Sequence, residues 1–142
     1  MNEFLHLFTR ASKLARAAAD QAMSRHGVRV GQNLVLEVLW DDDGLTPGEL
    51  AARLRVAKPT VVKSTARMQA AGLLERRRDA HDGRLVRLWL TPRGRALREA
   101  IEKERDDLAQ RMLAGLTDDQ RESLTAALRQ IVGELDRSAT RR

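Results

Sequence analysis

The fold is decided by residues 46–94, which read TPGELAARLRVAKPTVVKSTARMQAAGLLERRRDAHDGRLVRLWLTPRG. Each proline in this stretch follows a break in the apolar pattern and opens a helical one. Proline suits the first turn of a helix because its φ is already helical and its missing N–H would have no partner there. Thr46 and Glu49 also have the spacing of a capping box. The pattern predicts helices over about 47–54 and 58–71, joined by a short turn.

The helical period gives each of these two helices a buried face. In the first helix the inner residues are Leu50, Ala51 and Leu54. In the second helix the residues with inward spacing are Val61, Ser64, Thr65 and Met68, and those that fall outward are Lys58, Pro59, Val62, Lys63, Ala66 and Arg67. An exposed Val62 beside Lys63 is unusual for a solvated helix, but its methyl groups would suit the thymine methyls of a DNA groove.

The period changes from helical to two after the second helix. Residues 73–78 and 85–90 predict two short strands, and residues 79–83 predict the turn between them. The strand face that would pack on the helices carries Val86, Leu88 and Leu90. Two helices joined by a short turn and followed by a hairpin with a charged tip have the plan of a winged helix-turn-helix. In that plan the second helix fits the major groove of B-DNA, and the hairpin reaches an adjacent minor groove.

The charge of the chain is unevenly distributed. The 142 residues carry 26 Lys and Arg against 20 Asp and Glu, which gives a net charge of +6. Residues 53–98 hold thirteen basic and three acidic side chains, so this third of the chain is +10 and the remainder is −4. Such an excess repels itself unless a polyanion is near, and nucleic acid is the commonest polyanion. A solvated arginine-rich surface is the alternative interpretation, since Arg outnumbers Lys 22 to 4.

Composition excludes several classes of protein. The chain has no Cys, which rules out a disulfide framework, a thiolate zinc site and a cysteine nucleophile. No apolar run approaches the roughly 20 residues that a membrane span needs, and residues 1–10 lack the features of a secretory signal. Neither a glycine-rich phosphate loop nor a nucleophile–base pair is present. We therefore expect a cytoplasmic protein that is not an enzyme and has no membrane partner.

Three histidines and an acidic run are the candidate metal ligands. His6, His26 and His81 are dispersed, and none has a metal-ligand spacing to another. The three adjacent carboxylates of residues 41–43 cannot all face one ion, so a solvated acidic turn is favoured. We expect no metal site and no cofactor.

The two ends of the chain carry amphipathic helices. A helix over about 3–26 has a stripe formed by Phe4, Phe8, Ala11, Ala15, Ala18 and Ala22. A second helix is expected over about 30–40, and its side chains that should point into the core are Leu34, Val38 and Leu39. Helices over about 92–115 and 118–137 have seams formed by Leu97, Ile101, Leu108 and Met112 and by Leu124, Leu128, Ile131 and Leu135. We expect a partner chain to cover these seams, with packing inside one chain as the alternative.

A set of motifs runs from Gln32 to about Leu97. It consists of Leu50-Ala51 with Leu54, Pro59-Thr60-Val61, Met68, Ala71-Gly72-Leu73-Leu74-Glu75-Arg76, Asp82-Gly83-Arg84, and Leu90-Thr91 with Gly94. With these motifs the chain resembles the MarR-type transcriptional regulators. The resemblance implies a dimerisation lobe made from both chain ends, and a wing whose Arg84 enters the minor groove while Asp82 orients its guanidinium. Two features depart from the family: Ala57 replaces the usual Ser or Thr helix cap, and the N-terminus is short.

Residues and resemblance together predict a mostly α fold, α+β by strict count. A winged helix-turn-helix lobe with a two-stranded wing is expected over residues 30–91, and a helical dimerisation lobe over residues 1–29 and 92–142. The expected DNA-binding residues are Lys58, Pro59, Thr60, Val62, Lys63, Arg67, Asp82 and Arg84. The expected dimerisation residues are Phe4, Phe8, Leu108, Met112, Leu124, Leu128, Ile131 and Leu135.

The expected function is that of a homodimeric repressor, which binds a pseudopalindromic operator in double-stranded DNA and is released by a small molecule. The resemblance points to small aromatic or phenolic acids, bound in a crevice between the two lobes. There Arg10, Lys13 and Arg16 would clamp a carboxylate and Trp40 would form an aromatic wall, although an ordinary surface role for these cations is the alternative. The alternative function is a winged-helix architectural or protein-interaction module without ligand response.

Overall fold

The computed structural model describes residues 2–141, which form seven helices and two strands. In chain order these are α1 (Glu3–Ser24), α2 (Gln32–Asp41), α3 (Pro47–Leu54), α4 (Lys58–Ala70), β1 (Leu74–Arg78), β2 (Val86–Leu90), α5 (Pro92–Ala96), α6 (Arg98–Leu113) and α7 (Asp118–Thr140). The chain divides into two compact units, with the boundary between Leu108 and Ala109. A mostly helical chain with one two-stranded antiparallel sheet confirms the predicted fold class.

The first unit has one apolar core, built by α2, α3, α4 and the two strands together with the end of α1 and the start of α6. Its fully buried side chains are Met23, Val28, Leu36, Leu39, Leu50, Val61, Met68, Leu73, Leu74, Leu88 and Ile101. Each such side chain stabilises the fold by about 1.5–3 kcal/mol relative to the exposed state. Because the core includes residues from α1 and α6, these helices are fixed to the helix-turn-helix by direct packing.

Threonines begin three of the helices, and one of them is Thr46, for which the sequence predicted a cap. The Thr46 and Thr91 hydroxyl oxygens accept hydrogen bonds from the backbone N–H groups of Glu49 and Gly94, each at 3.1 Å. At the start of α7, Thr117 forms a complete capping box with Gln120. The predicted capping box of α3 also needs the Glu49 carboxylate to accept the backbone N–H of Thr46. That carboxylate instead lies 3.8 Å from the Arg87 guanidinium, so the structure shows the half of the box that the Thr46 side chain forms.

The wing is a regular antiparallel hairpin. Leu74 pairs with Leu90, and Arg78 pairs with Val86. Each strand begins one residue later than predicted, since β1 starts at Leu74 and β2 at Val86. The backbone N–H of Leu88 also donates to the carbonyl of Leu45 at 2.9 Å. This bond joins the wing to the segment before α3.

The second helix corrects one part of the predicted core. Helix α2 begins at Gln32 rather than near residue 30, because Gly31 with φ +97° ends the preceding loop. Leu34, predicted to point inward, is 47% exposed, whereas Val35, Leu36 and Leu39 are buried. The prediction is therefore wrong for Leu34, whereas Leu39 is buried and Val38 is partly buried against the core, as predicted.

The single helix predicted over 92–115 is broken at Leu97 into α5 and α6. The Trp40 indole N–H donates to the Gly94 carbonyl at 2.9 Å. In a continuous helix that carbonyl would accept from the N–H of Arg98. Gly94 also lies so close to β1 that a Cβ built on it would be 2.3 Å from the Leu73 carbonyl oxygen. A tertiary hydrogen bond and a close backbone approach thus interrupt the predicted helix.

In the second unit, α7 is a helix of 23 residues with a largely exposed surface. Its apolar side chains Leu124, Leu128, Val132 and Leu135 are 36–65% exposed. Among residues 2–141, no helix combines the length and apolar character needed to cross a lipid bilayer.

Candidate nucleic-acid interface

The outer face of α4 is formed by the residues that the helical period assigned to it. These residues, Lys58, Pro59, Val62, Lys63, Ala66 and Arg67, are all exposed, and so is Thr60, which was also expected to bind DNA. On the opposite side Val61, Thr65 and Met68 are buried, and the Thr65 hydroxyl donates to the Val61 carbonyl at 2.7 Å. The inner contacts fix the rotation of α4 about its axis, so the exposed cations and the 46% exposed Val62 lie on one side.

Ala57 occupies the N-cap position of α4 and makes no side-chain capping hydrogen bond. An Ala cap leaves the first N–H groups of a helix without the oxygen that Ser or Thr supplies. The departure from the family pattern is therefore visible in the structure as an α4 N-terminus that has no side-chain cap.

The wing turn is held by Asp79. Its carboxylate accepts hydrogen bonds from the backbone N–H groups of His81 and Asp82 at 2.8 and 2.9 Å. The Arg87 Nε donates to the second oxygen of Asp79 at 2.5 Å. The hydrogen bond from Arg87, followed by the backbone bonds from Asp82 and His81, holds the pKa of the Asp79 carboxyl well below its ordinary value. Sequence reasoning missed this pair, because its partners are eight residues apart on opposite sides of a turn.

The structure brings Asp82 and Arg84 into contact at the wing tip. The Asp82 carboxylate accepts from the backbone N–H of Arg84 at 3.0 Å, and the Arg84 Nε lies 3.4 Å from the same oxygen. The Arg84 side chain is 94% exposed. Asp82 therefore fixes the base of a side chain whose guanidinium extends into solvent, which is the geometry that entry into a minor groove needs. That Arg84 enters a groove stays a prediction.

Several arginines of the basic segment are engaged within the fold. Arg53 pairs with Asp42, Arg98 with Asp41 and Glu102, and Arg87 with Asp79. Arg93 and Arg95 donate to the carbonyls of Ala71 and Leu90. The count of thirteen basic residues therefore overstates the free positive charge. The exposed cations that are presented to a partner include those of the outer α4 face, Arg76 and Arg78 on β1, and Arg84 at the wing tip.

The residues expected to bind an effector do not come together. Arg10 and Lys13 line an open hollow of about 490 Å³ along α1 with Asn2, Leu5, His6 and Thr9. Lys13 and Arg16 line a second hollow of about 500 Å³, which we call the basic hollow, together with Ala17, Asp20, Arg29, Val30 and Arg67. Trp40 lines neither, since it is half-buried with its indole N–H bonded to the Gly94 carbonyl.

The histidines and the acidic run have separate structural partners. His26 Nε2 lies 3.2 Å from a Glu104 carboxylate oxygen, while His81 is exposed in the wing turn. Of the acidic run, Asp43 accepts from the backbone N–H groups of Gly44 and Leu90. Within residues 2–141 the structure contains no group of three or more side chains that could hold a metal ion.

Most of the residues expected at a dimer interface are exposed in the single chain. Phe4, Phe8, Met112, Leu124, Leu128 and Leu135 are 36–65% exposed, and Leu108 and Ile131 are half-buried. Sequence reasoning missed Leu5, Leu7, Leu14 and Val132, which are also exposed. The signal was present, because Leu7 and Leu14 are seven residues apart and follow a second stripe on α1.

Comparison with known proteins places the chain in a family. Residues 26–85 match the sequence model of the MarR family. The HTH-type transcriptional regulator ML2140 of Mycobacterium leprae is 30% identical over 111 residues, which are 78% of each protein. TtmR of Methylorubrum extorquens, also an HTH-type transcriptional regulator, is 35% identical over 80 residues, which span 56% of this chain but 41% of TtmR.

A solved structure agrees over a longer stretch. The structure of the S. aureus MepR–DNA complex superimposes with a TM-score of 0.85 and 26% identity, covering 94% of this chain and 99% of MepR. Both curated relatives are named as transcriptional regulators, which confirms the prediction that the chain is not an enzyme. On sequence and fold together, the chain belongs to the MarR family.

Proposed function

We propose that this protein is a homodimeric repressor that binds a pseudopalindromic operator through α4 and the wing. The observation that carries the proposal is that α4 and the wing, both in the first unit, each expose positive charge. Helix α4 presents Lys58, Val62 and Lys63 on its outer face, and the wing extends Arg84 from the base fixed by Asp82. A helix of this kind fits a major groove, and an arginine is drawn to the negative potential of a narrow minor groove. MepR, whose fold this chain shares, was solved as a complex with DNA, which supports DNA as the ligand.

The dimer is proposed from the apolar surface of the chain ends. Helix α1 exposes Phe4, Leu5, Leu7, Phe8 and Leu14, and α7 exposes Leu124, Leu128, Val132 and Leu135. Each of these helices thus has an exposed apolar face, and such a face is characteristic of an interaction site. We assign it to a second copy of the chain, since a two-fold dimer presents two α4 helices to two half-sites one helical turn apart. The lobe that would form this interface consists of residues 1–29 and 92–142, and residues 30–91 form the DNA-binding lobe.

Release by a small aromatic or phenolic acid is the third part of the proposal. The α1 cations Arg10 and Lys13 line an open hollow outside the α4 face, where a carboxylate would meet positive charge. A ligand that binds the DNA-incompetent dimer tenfold better lowers DNA affinity by about 1.4 kcal/mol per site. Reciprocity requires that operator DNA weaken ligand binding by the same factor. Titration with phenolic acids by Trp fluorescence, with and without DNA, tests this, and equal affinities would refute release by that ligand.

DNA recognition itself is tested by selection from a pool of random duplexes at near-physiological salt. The proposal predicts enrichment of a sequence with two inverted half-sites. A matched variant, Lys63→Ala with Arg84→Ala, should enrich no such sequence under the same conditions, while a control variant, Lys103→Ala on α6, should enrich the parental one. If the parent enriches no sequence, the alternative of an architectural or protein-interaction module replaces the proposal.

A further inference from the structure

The basic hollow beside α4 gathers positive charge from three separate parts of the chain. Lys13 and Arg16 come from α1, Arg29 from the loop before α2, and Arg67 from the outer face of α4. The only acidic residue that lines it is Asp20, whose carboxylate accepts the backbone N–H of Val30 at 3.3 Å. In the part of the chain that the structure describes, none of the four cations is paired with a carboxylate. Four like charges around one hollow favour an anion as the occupant.

Arg29 and Arg67 are neighbours on the rim of this hollow. Both also line an adjoining hollow of about 460 Å³, together with Gly27, Gln32 and Ala71. Both side chains belong to exposed residues. The two arginines therefore line the same two hollows, and Arg29 extends the exposed charge of α4 onto the loop before α2.

The loop that carries Arg29 is fixed before any partner binds. The Arg29 backbone N–H donates to the Gln32 side-chain oxygen at 3.0 Å, and the Gln32 N–H donates back to the Arg29 carbonyl at 3.0 Å. The preceding residue, Val28, is fully buried. Ordering this segment thus costs little conformational entropy on binding, because the backbone is already held.

The position of Arg67 on α4 favours a DNA phosphate as the anion in the basic hollow. Arg67 is the tenth residue of a helix that begins at Lys58, and it lies one turn after Lys63 on the same face. In helix-turn-helix proteins the N-terminal residues of the recognition helix contact the base edges. Arg67 lies beyond these N-terminal residues, and arginine is one of the side chains that commonly donate to phosphate oxygens.

We propose that Arg29 and Arg67 hold one strand of the DNA backbone, with Lys13 and Arg16 adding positive potential behind them. The ligand of the basic hollow is thus a DNA phosphate, and Arg29 is a binding residue outside the helix-turn-helix and wing. This inference rests on the proposed DNA-binding function, and it gives Arg16 a different role from the carboxylate clamp predicted from the sequence, while Lys13 lines both this hollow and the one along α1. It also explains why Arg29 lies next to the recognition helix without an acidic partner.

The test is the salt dependence of binding to a duplex of about 30 base pairs of arbitrary sequence, because phosphate contacts persist in non-specific binding. Each phosphate contact contributes about 0.9 to the slope of log K against log salt, so Arg29→Ala should reduce the slope by about 1.8 for a dimer. Arg29→Lys should keep most of the parental slope, because it keeps the charge. Arg129→Ala on α7, an exposed arginine that lines neither hollow, is the control for loss of one positive charge.

The outcomes separate this inference from the proposed function. A parent that does not bind the duplex at low salt contradicts the DNA-binding proposal itself. A parent that binds, with Arg29→Ala giving the parental slope, overturns only the phosphate assignment. Inorganic phosphate and benzoate, titrated without DNA, provide a second measurement: binding of either that depends on Arg29 while the DNA slope is unchanged would make the hollow a small-anion site. Circular dichroism melts of Arg29→Ala and Arg29→Lys check that both variants are folded.

Discussion

Arg87 binds Asp79 in the wing turn and the carbonyl of Gly44 before α3 at the same time. The Arg87 Nε donates to Asp79 at 2.5 Å, and its Nη1 donates to the carbonyl of Gly44 at 2.9 Å. Asp79 in turn fixes the wing turn through the backbone N–H groups of His81 and Asp82. One arginine thus connects the wing turn to the segment that precedes α3, and this sets the position from which Arg84 extends.

The low pKa of Asp79 predicts a stability difference that depends on pH. Because its folded pKa is below the unfolded value of about 4, ionised Asp79 stabilises the fold fully above that pH. The contribution is lost progressively as the pH falls below about 4 toward the folded pKa. Asp79→Asn should therefore be less stable than the parent at pH 7, and the difference should shrink at pH 3. Urea denaturation at several pH values measures it, with Asp106→Asn on α6 as the control, and a pH-independent difference would contradict the account.

Gly94 should not tolerate a side chain. A Cβ at this position would be 2.3 Å from the Leu73 carbonyl oxygen, which accepts the backbone N–H of Thr91 at 3.1 Å. Gly94→Ala must displace that carbonyl, and we expect a loss of about 2 kcal/mol or more in the free energy of unfolding. Gly83→Ala is the control, since nothing lies within 4 Å of a Cβ built there. Equal unfolding midpoints for the two variants would show that the close approach of Gly94 to the Leu73 carbonyl does not exclude a Cβ at position 94.

Lys63 and Arg84 should contribute to binding in different ways. Lys63 lies on the outer face of α4, so Lys63→Ala should weaken binding whatever the flanking sequence. Arg84→Ala should cost about 1–3 kcal/mol mainly on A/T-rich flanks, where the minor groove is narrow. Fluorescence anisotropy with duplexes that differ only in their flanks measures both. If Arg84→Ala lowers the binding free energy by the same amount on every flank, the wing does not contact the minor groove as proposed.

The dimer should depend on the exposed seam of α7. Leu128→Glu with Leu135→Glu places two charges where an apolar interface is proposed, and we expect monomers in sedimentation equilibrium. Losing the second half-site contact should weaken binding to a two-site duplex by about 100-fold or more. Ser123→Glu with Gln130→Glu adds charge with the same seven-residue spacing at exposed polar positions and should remain dimeric. A dimer in the Leu128 and Leu135 variant would locate the interface elsewhere.

Local signals in the sequence predicted much of the fold. The prolines indicated the starts of α3, α4 and α5, Thr46 indicated the cap of α3, and the helical period indicated the two faces of α4. These features depend on residues within one turn of each other. The contact between Asp82 and Arg84 was implied by the resemblance to the MarR-type regulators, and the structure shows it.

Features that depend on distant residues could not be predicted. The break at Leu97 comes from a hydrogen bond between Trp40 and Gly94, and Leu34 is exposed because a glycine loop sets the phase of α2. Arg29 and Arg67, which both line the basic hollow, are 38 positions apart in the chain. Hydrophobic periodicity carries no information about such contacts, since it reports only which side of each element is apolar.

The central claim is that two copies of α4 read two half-sites while the wings contact the flanks. Hydroxyl-radical footprinting of the selected duplex tests it most directly. We predict protection in two inverted blocks whose centres are about 10 base pairs apart, one helical turn of roughly 34 Å. Arg84→Ala should remove the protection in the outer minor grooves and leave the central blocks. A single protected block, or outer protection that survives Arg84→Ala, would contradict the account.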